Sequence, residues 1–261
     1  MAKSNITYAL EGGIASIGLD RAEKRNAISD AVIEELRAAV ERAGNEARAG
    51  VIFGVGDHFS AGLDLSEHVA LTPFEGMRQS HKWHRTFDII ERGPIPYVAA
   101  LHGAVVGGGL ELAAATHIRV ADETTFFALP EGQRGIFVGG GGSVRIQRLM
   151  GYARMADMML TGRVLDAAEA ERANLVHYVV PKGGALERAK ALAARIAENA
   201  PLSNFAITNA LPRIQDLAHD DGLFFEALMA AFTQTSPDAQ ERLRAFLEKR
   251  AQRLARPGGG E

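Results

Sequence analysis

Residues 102–112 read His-Gly-Ala-Val-Val-Gly-Gly-Gly-Leu-Glu-Leu and place three consecutive glycines before a short apolar run. The run predicts a short helix near residues 110–114. Glycines at its start leave backbone N–H groups unpaired, with the positive end of the helix dipole behind them. Such donors suit a carbonyl oxygen that becomes an oxyanion during a reaction. Glu111 lies in the first turn, where an acid also stabilises a helix, so this segment alone favours a structural acid over a catalytic one.

Two further segments combine small residues with an acid. Residues 58–65 read His-Phe-Ser-Ala-Gly-Leu-Asp-Leu, a tight turn whose N–H groups can point into a cleft, although most such turns have no function. Residues 127–131 read Phe-Ala-Leu-Pro-Glu and precede a glycine-rich loop that extends to residue 142. Desolvation there can raise the pKa of Glu131, as a general acid requires, although most loop acids are simply solvated.

The pattern of the remaining chain indicates an α/β protein. Strand-like and helix-like segments alternate to about residue 180, which predicts an α/β core over residues 1–200. We expect a hairpin over 6–19, strands over 50–56, 97–101 and 118–121, a helix that starts at Ser29 and Asp30, and a mostly helical stretch over 67–92. Residues 201–261 contain helical segments only, notably 222–233 and 237–253, which we interpret as an added helical region.

Composition narrows the class of protein. At 261 residues, with 47% hydrophobic and 23% charged residues, the chain is long enough for one large domain or one domain with a smaller appendage. The net charge of −3 gives no electrostatic reason to expect binding to nucleic acid or to an anionic membrane. With no cysteine, disulfides, thiolate nucleophiles and cysteine metal sites are excluded. Neither a signal peptide nor a membrane span is evident, which predicts a cytoplasmic protein.

Motifs of other enzyme classes are missing from the sequence. No Gly-x-x-x-x-Gly-Lys-Ser/Thr occurs, and no Gly-x-Gly-x-x-Gly follows a strand, which argues against nucleotide binding. The Gly-x-Ser-x-Gly of serine hydrolases is also missing. His81 and His84 are three residues apart without nearby acidic or histidine partners, so we expect no metal site.

Taken in order, these segments closely resemble the crotonase (enoyl-CoA hydratase/isomerase) family. The matching motifs are Ser-Ala-Gly-x-Asp at 60–64, Gly-Gly-Gly-x-Glu at 107–111, and Pro-Glu at 130–131 followed by the glycine loop. The resemblance also covers Glu-Lys-Arg-Asn-Ala at 23–27, Leu-Thr-Gly-Arg at 160–163, and Ala-Phe-Leu-Glu-Lys-Arg at 245–250. It therefore spans nearly the whole chain.

The resemblance implies a fold and a reaction. The expected fold is a spiral core of ββα repeats over residues 1–200, with a C-terminal helical region over 201–261 that builds homotrimers, often paired into hexamers. Members bind an acyl-CoA thioester, with its carbonyl in an oxyanion hole that here matches the N–H groups of Ala61 and Gly108. Hydratases carry two glutamates, matched by Glu111 and Glu131, and need no cofactor besides the coenzyme A of the substrate. The pair favours enoyl-CoA hydratase; an isomerase, a thioester hydrolase or, more remotely, an RNA-binding protein of this fold are the alternatives.

Substrate contacts follow from the same match. The positions implied in coenzyme A and thioester binding are Lys24, Arg25, Ala27, Ala61, Gly62, Leu63, Asp64, Leu65, Gly107, Phe246 and Lys249. For Phe246 and Lys249, a packed aromatic and a solvated charge are equally good interpretations. The acyl pocket should include Trp83, Phe87, Val138 and Gly139. Bulky groups at 83 and 87 favour a short, substituted or aromatic acyl group, although aromatic residues on helices are more often ordinary core.

Overall fold

Strands and helices alternate in the first part of the chain, which confirms the predicted α/β core. A computed structural model of the chain describes residues 4–67, 71–248 and 250, and it divides the chain into two units, Met1–Asn199 and Ala200–Glu261. The strands described in the first unit are β1 (Ile6–Glu11), β2 (Ile14–Leu19), β3 (Ala49–Gly54), β4 (Tyr97–Leu101), β5 (Ala104–Val106), β6 (Ile118–Asp122), β7 (Phe126–Ala128), β8 (Leu165–Asp166) and β9 (Tyr178–Val180). Its α-helices are α1 (Asp30–Glu46), α2 (Pro73–Arg92), α3 (Gly108–Ala114), α4 (Gly142–Met150), α5 (Tyr152–Thr161), α6 (Ala167–Arg172) and α7 (Ala185–Ala197).

The larger sheet has the strand order β1-β2-β3-β4-β6-β9. β1 and β2 form the predicted antiparallel hairpin, and the other neighbouring pairs are parallel. Parallel strands covered on both faces need apolar residues on both sides, which explains why Val51 and Ile52 are both fully buried. Val51 packs in a cluster with residues of α7, whereas Ile52 packs in the main core with residues of α1.

A second, smaller sheet brings the two candidate acids to one place. β5 pairs in parallel with β7, and β7 pairs antiparallel with β8. Two successive repeats have the order β4-β5-α3 and β6-β7-α4. In each repeat the first strand belongs to the larger sheet, the second strand belongs to the smaller sheet, and a helix follows, as expected for ββα repeats. Because β5 and β7 are parallel, their carboxyl ends lie at the same edge. Glu111 follows β5 and Glu131 follows β7, so the topology carries both acids to that edge.

Side-chain caps set the helix boundaries. Ser29 caps α1 as predicted, since its side chain accepts a hydrogen bond from the backbone N–H of Val32 at 3.3 Å. α2 begins later than predicted because Thr72 and Glu75 form a capping box there and Pro73 occupies the first turn. Residues 65–67 instead form a 3-10 turn, and 68–70 lie outside the described residues.

The second unit contains the predicted helices. They are α8 (Pro201–Ile214), α9 (His219–Gln234) and α10 (Pro237–Leu247). On α9 four large apolar side chains are exposed by about half or more, namely Leu223, Phe224, Leu228 and Phe232. Lys249 and the tail from residue 251 lie outside the described residues. No helix in the described ranges is long and apolar enough to cross a membrane.

Candidate active site

Glu111 is buried and held by backbone donors. It lies in α3, whose residues are all buried, and only 3% of it is exposed. Its Oε1 accepts hydrogen bonds from the N–H groups of Gly140 and Gly142, both at 2.8 Å. Burial raises the pKa of Glu111, and these amides together with the positive charge of Arg145 oppose that rise. The amides therefore orient the carboxyl group and favour its ionised form.

Close approach of the backbone explains one glycine of this loop. A methyl group added to Gly142 would lie 2.8 Å from Cγ of Glu111 and 2.9 Å from its Oε1. Any other residue at 142 would push the carboxylate away from the amides. The glycine run therefore positions the carboxylate of Glu111, a role that was not predicted from the sequence.

Arg145 holds the same loop through the carbonyl oxygen of Gly140. Its guanidinium is 8% exposed and donates to the carbonyl oxygen of Gly140 at 3.1 Å. It also donates to Asp88 at 2.6 Å and to Glu91 at 2.9 Å, both on α2. Arg145 thus ties α2 to Gly140, the residue whose own N–H holds Glu111. The sequence interpretation missed it because no sequence signal separates it from exposed arginines such as Arg148.

Glu131 is buried without a full set of partners. It is 6% exposed, and its Oε2 has no hydrogen-bond partner among the described residues. Burial, and after it the negative charge of Glu111, raise the pKa of Glu131, which reaches about 7 against the opposing effects of its own backbone N–H and of Arg134. A carboxyl group with this pKa can both donate and accept a proton near neutral pH.

The turn at 60–64 corrects one predicted donor. The N–H of Ala61 donates to the carbonyl of Arg25 at 2.9 Å, so the prediction of Ala61 as an oxyanion donor is wrong. The N–H groups of Gly62 and Asp64 are also engaged, with Ser60 Oγ and the carbonyl of Ile28. In the part of the chain that the structure describes, the N–H of Leu63 has no such partner.

Gly108, the other residue predicted as an oxyanion donor, presents a second free N–H group. It is the first residue of α3, and its N–H has no hydrogen-bond partner within the described ranges. A parallel bridge between Ser60 and Val105 aligns the turn with β5. A methyl group on Gly62 would lie 3.1 Å from the nitrogen of Gly108, which shows how closely the two segments approach. Leu63 and Gly108 thus present two unpaired N–H groups side by side.

A cavity of about 310 Å³ joins these groups. Its lining residues are Leu63, Gly76, Gln79, Ser80, Trp83, Gly108, Glu111, Glu131, Ile136, Phe137, Val138, Gly139 and Gly140. Trp83, Val138 and Gly139 therefore line it as predicted for an acyl pocket. Phe87 does not line it; its side chain is fully buried and packs edge-on against Trp83, with ring centroids 5.6 Å apart. Sequence alone could not tell which aromatic would face the cavity.

The segment 24–27 lies beside the turn that carries Leu63. Lys24 and Arg25 are exposed cations, and Ala27 is half-buried. Asn26 adopts a φ of 53° and is buried, and its side chain donates to the carbonyls of Val55 and His58 at 3.0 and 2.7 Å. Asn26 therefore fixes the segment and leaves the two cations free to meet a ligand.

Other predicted contact residues have different roles or remain outside this site. Hydrogen bonds from Ser66 and Arg21 hold the pKa of Asp64 at about 2, so its carboxylate serves the turn. Leu65 is exposed. Gly107 precedes α3 with a φ of 52°, and a methyl group there would lie 2.9 Å from Oε1 of Glu131. Phe246, in the second unit, is 70% exposed, and Lys249 lies outside the described residues.

The predicted absence of a metal site concerns the spacing of His, Asp and Glu side chains. Among the described residues, no group of three or more His, Cys, Asp or Glu side chains could hold a metal ion. The rings of His81 and His84 are 6.0 Å apart and tilted.

Known proteins resemble the chain over nearly its whole length. A family model described as enoyl-CoA hydratase/isomerase matches residues 9–255. The solved structure of a candidate enoyl-CoA hydratase from Rhodopseudomonas palustris is 50% identical, with a TM-score of 0.92 over 94% of this chain and 95% of that one. Probable enoyl-CoA hydratase 2, mitochondrial, of Arabidopsis thaliana is 35% identical over 95% of this chain and 83% of the relative. Enoyl-CoA hydratase EchA19 of Mycobacterium tuberculosis is 32% identical, covering 90% of each chain.

Proposed function

The chain belongs to the enoyl-CoA hydratase/isomerase family, and we propose that it is an enoyl-CoA hydratase, which adds water across the 2,3-double bond of a 2-enoyl-CoA thioester. The observation that carries this proposal is the pair of buried carboxyl groups, Glu111 and Glu131, on the wall of one cavity. Hydration needs a base for water and an acid for the α-carbon, and the pair can supply both. The names of the relatives support the same reaction.

The reaction begins with the thioester carbonyl. Its oxygen accepts hydrogen bonds from the N–H groups of Leu63 and Gly108, which draws electron density away from the double bond. Water attacks the β-carbon and gives one proton to Glu111, and the π electrons move onto the carbonyl oxygen as an enolate. The enolate then collapses as Glu131 gives its proton to the α-carbon. A backbone donor of this kind contributes about 3 kcal/mol to the transition state.

The different surroundings of the two acids support this division of roles. Glu111 receives two backbone N–H bonds, which stabilise its carboxylate form and suit a base. Glu131 has a buried oxygen without a hydrogen-bond partner among the described residues and a pKa of about 7, so a large fraction of it is protonated near neutral pH. Proton transfer between the two acids through water would restore the starting state after each turnover.

Coenzyme A recognition is proposed for the segment beside the cavity. Lys24 and Arg25 are exposed next to the turn that presents Leu63, and cations attract the phosphates of coenzyme A. We propose that Phe246 and Lys249 reach the nucleotide of a neighbouring subunit. We propose that the reaction needs no cofactor besides the coenzyme A of the substrate, because a base, an acid and two N–H donors account for each step.

Assembly is proposed to use the second unit. The exposed apolar residues of α9 form a surface that is costly to leave in water, which supports a homotrimer or homohexamer. We place such an assembly in the cytoplasm, with no nucleic acid or membrane partner.

Glutamine variants test the proposal. Glu111→Gln and Glu131→Gln preserve size, so each should lose hydration turnover by about 10²–10⁴-fold with little loss of thioester affinity. The double variant should be little worse than the poorer single one, because the two acids act as a unit. Glu123→Gln, at an exposed site, is the matched control. Assays contain EDTA, so that persisting wild-type turnover also tests independence from metal.

An isomerase would behave differently. It needs one base, so Glu131→Gln would be inactive while Glu111→Gln kept double-bond isomerisation. Near-normal hydration by Glu111→Gln would show that Glu111 is only a helix-start acid and that the mechanism above is wrong.

A further inference from the structure

Arg119 is a buried cation that the proposed mechanism does not use. It lies on β6, only 2% of it is exposed, and no carboxylate pairs with it in the part of the chain that the structure describes. Burial lowers the pKa of Arg119 to about 10, so the guanidinium group still carries its positive charge near neutral pH. A buried charge without an anion is costly, and a neutral side chain of similar size would fill the same space. The role of Arg119 therefore lies in the contacts of its guanidinium group.

The guanidinium group holds two backbone carbonyls from different segments. Its Nη1 donates a hydrogen bond to the carbonyl oxygen of Thr116 at 2.6 Å, and its Nε donates one to the carbonyl oxygen of Leu175 at 2.7 Å. Thr116 follows the C-terminal end of α3, whereas Leu175 lies between α6 and β9. Arg119 thus ties the end of α3 to a part of the core that is distant in sequence.

Thr116 in turn closes the last turn of α3. Its N–H and its hydroxyl group both donate to the carbonyl oxygen of Ala113, at 3.1 and 2.7 Å. The carbonyl groups at this end form the negative pole of the helix, which a nearby cation stabilises. Arg119 therefore holds the C-terminal end of α3 both through Thr116 and through its charge.

The position of α3 matters because this helix carries two groups of the proposed mechanism. Gly108, its first residue, presents an oxyanion donor, and Glu111 lies in its first turn. The helix has only seven residues, and so short a helix is not stable in water without contacts to the rest of the chain. Its other end is held by a hydrogen bond from the N–H of Gly107 to the carbonyl of Ala128 at 2.9 Å. A shift at the C-terminal end would therefore move the donor and the base together.

We propose that Arg119 is a positioning residue of the reaction, which holds α3 so that the N–H of Gly108 and the carboxylate of Glu111 meet the thioester together; this inference rests on the proposed hydratase function. Arg119 does not line the cavity, so it acts only through α3. The negative charge of the enolate appears only during the reaction. A displaced N–H donor therefore lowers the affinity for an enolate more than the affinity for a ground-state thioester.

The test compares the wild type with Arg119→Met and Arg119→Lys. Hydration of crotonyl-CoA, or of a longer 2-enoyl-CoA that reacts faster, gives kcat, and calorimetry gives the affinities for butyryl-CoA and acetoacetyl-CoA. Butyryl-CoA resembles the ground state, whereas the enolate form of acetoacetyl-CoA carries its charge where the intermediate does. Arg119→Met, which loses the charge and both donors, should lower kcat by about 10- to 100-fold. It should also weaken acetoacetyl-CoA binding more than butyryl-CoA binding.

Arg119→Lys keeps the charge but not the planar set of donors, so its kcat and its ratio of affinities should lie between those of the wild type and of Arg119→Met. This variant also covers the case that Arg119→Met fails to fold.

Tyr97→Phe is the matched control for lost stability. The side chain of Tyr97 is fully buried, and its hydroxyl group donates to the carbonyl oxygen of Val40 on α1 at 3.2 Å. The variant should therefore unfold at lower urea concentration than the wild type, with an unaltered ratio of the two affinities.

An unaltered ratio in every Arg119 variant that folds would overturn the inference while the hydratase function stands. An equal fall of the ratio in Tyr97→Phe would also overturn it, because the effect would then follow stability and not the position of α3. Failure of the wild type to hydrate any 2-enoyl-CoA would instead overturn the proposed function, and the ratio of affinities would still measure the effect of Arg119 on the oxyanion donor.

Discussion

Replacement of Glu131 by glutamine should improve the stability of the folded chain, relative to the wild type, as the pH rises through neutrality. Burial, together with the smaller effect of the charge of Glu111, raises the pKa of Glu131 from its ordinary 4.5 to about 7. A carboxyl group whose pKa is raised on folding holds its proton more tightly in the native chain than in the unfolded one. The free energy of unfolding therefore falls as the pH rises from about 4.5 to about 7, and it stays lower above that range.

The size of the effect follows from the same values. At about 1.4 kcal/mol per pH unit, the difference between 4.5 and about 7 corresponds to at most roughly 3 kcal/mol. Glutamine cannot ionise, so it avoids this cost at high pH. Its own unpaired amide costs about the same at every pH, and the diagnostic quantity is therefore the change in stability difference between two pH values.

Urea unfolding at about pH 5 and about pH 8 measures that quantity, with protein concentration fixed because the chain is proposed to assemble. The stability of Glu131→Gln relative to the wild type should improve by up to roughly 3 kcal/mol between the two pH values. Glu123→Gln, at an exposed site, should show little such change. An equal difference at both pH values would refute the claim that Glu131 is costly to ionise in the folded chain.

Three other outcomes follow from the contacts described. Arg145→Gln removes both the hydrogen bond to the carbonyl of Gly140 and a positive charge near Glu111, so turnover should fall by about 10- to 100-fold. Because the pKa of Glu111 should rise, the acid limb of the pH profile of kcat/KM should move to higher pH, whereas an unmoved limb would show that Arg145 has only a structural role. Gly107→Ala places a methyl group 2.9 Å from Glu131 at a φ of 52°, and at least a tenfold loss of turnover is expected, with steady-state kinetics as the check and normal turnover as the contrary result. Light scattering at micromolar concentration should show a trimer or hexamer that Phe224→Glu disrupts, whereas a wild-type monomer would exclude the proposed assembly.

The sequence predicted those strands and helices that depend on interactions between residues close together in the chain. The hairpin, the Ser29 cap of α1 and the buried strand β4 were all predicted from short-range sequence features, because alternation, capping and apolar runs act over a few residues. The small sheet was not predicted. β5 spans Ala104–Val106 and pairs with β7, a partner distant in sequence, so three residues inside a glycine-rich stretch gave no strand signal.

Residues of the candidate site were likewise predicted where a sequence motif marks them and missed where their role depends on contacts distant in sequence. Glu111 and Glu131 were predicted from the order of motifs, although each one alone looked structural. Ala61 was the wrong donor because its N–H pairs with the carbonyl of Arg25, and a contact with a residue so far away in sequence is invisible before folding. Arg145 was missed for a related reason, since its partners Asp88 and Glu91 lie on another helix.

The loop at 136–142 has a consequence for how descendants of this chain could diverge. Ile136 and Phe137 of the loop line the cavity, while Gly140 and Gly142 hold Glu111. Mutations that reshape the pocket through this loop would therefore also disturb Glu111, the proposed catalytic base, and selection for turnover would act against them. Gln79 and Ser80, on α2, line the same cavity, and among the described residues neither of them hydrogen-bonds to Glu111 or Glu131, so changes on the 79–80 side of the pocket would disturb the two acids less.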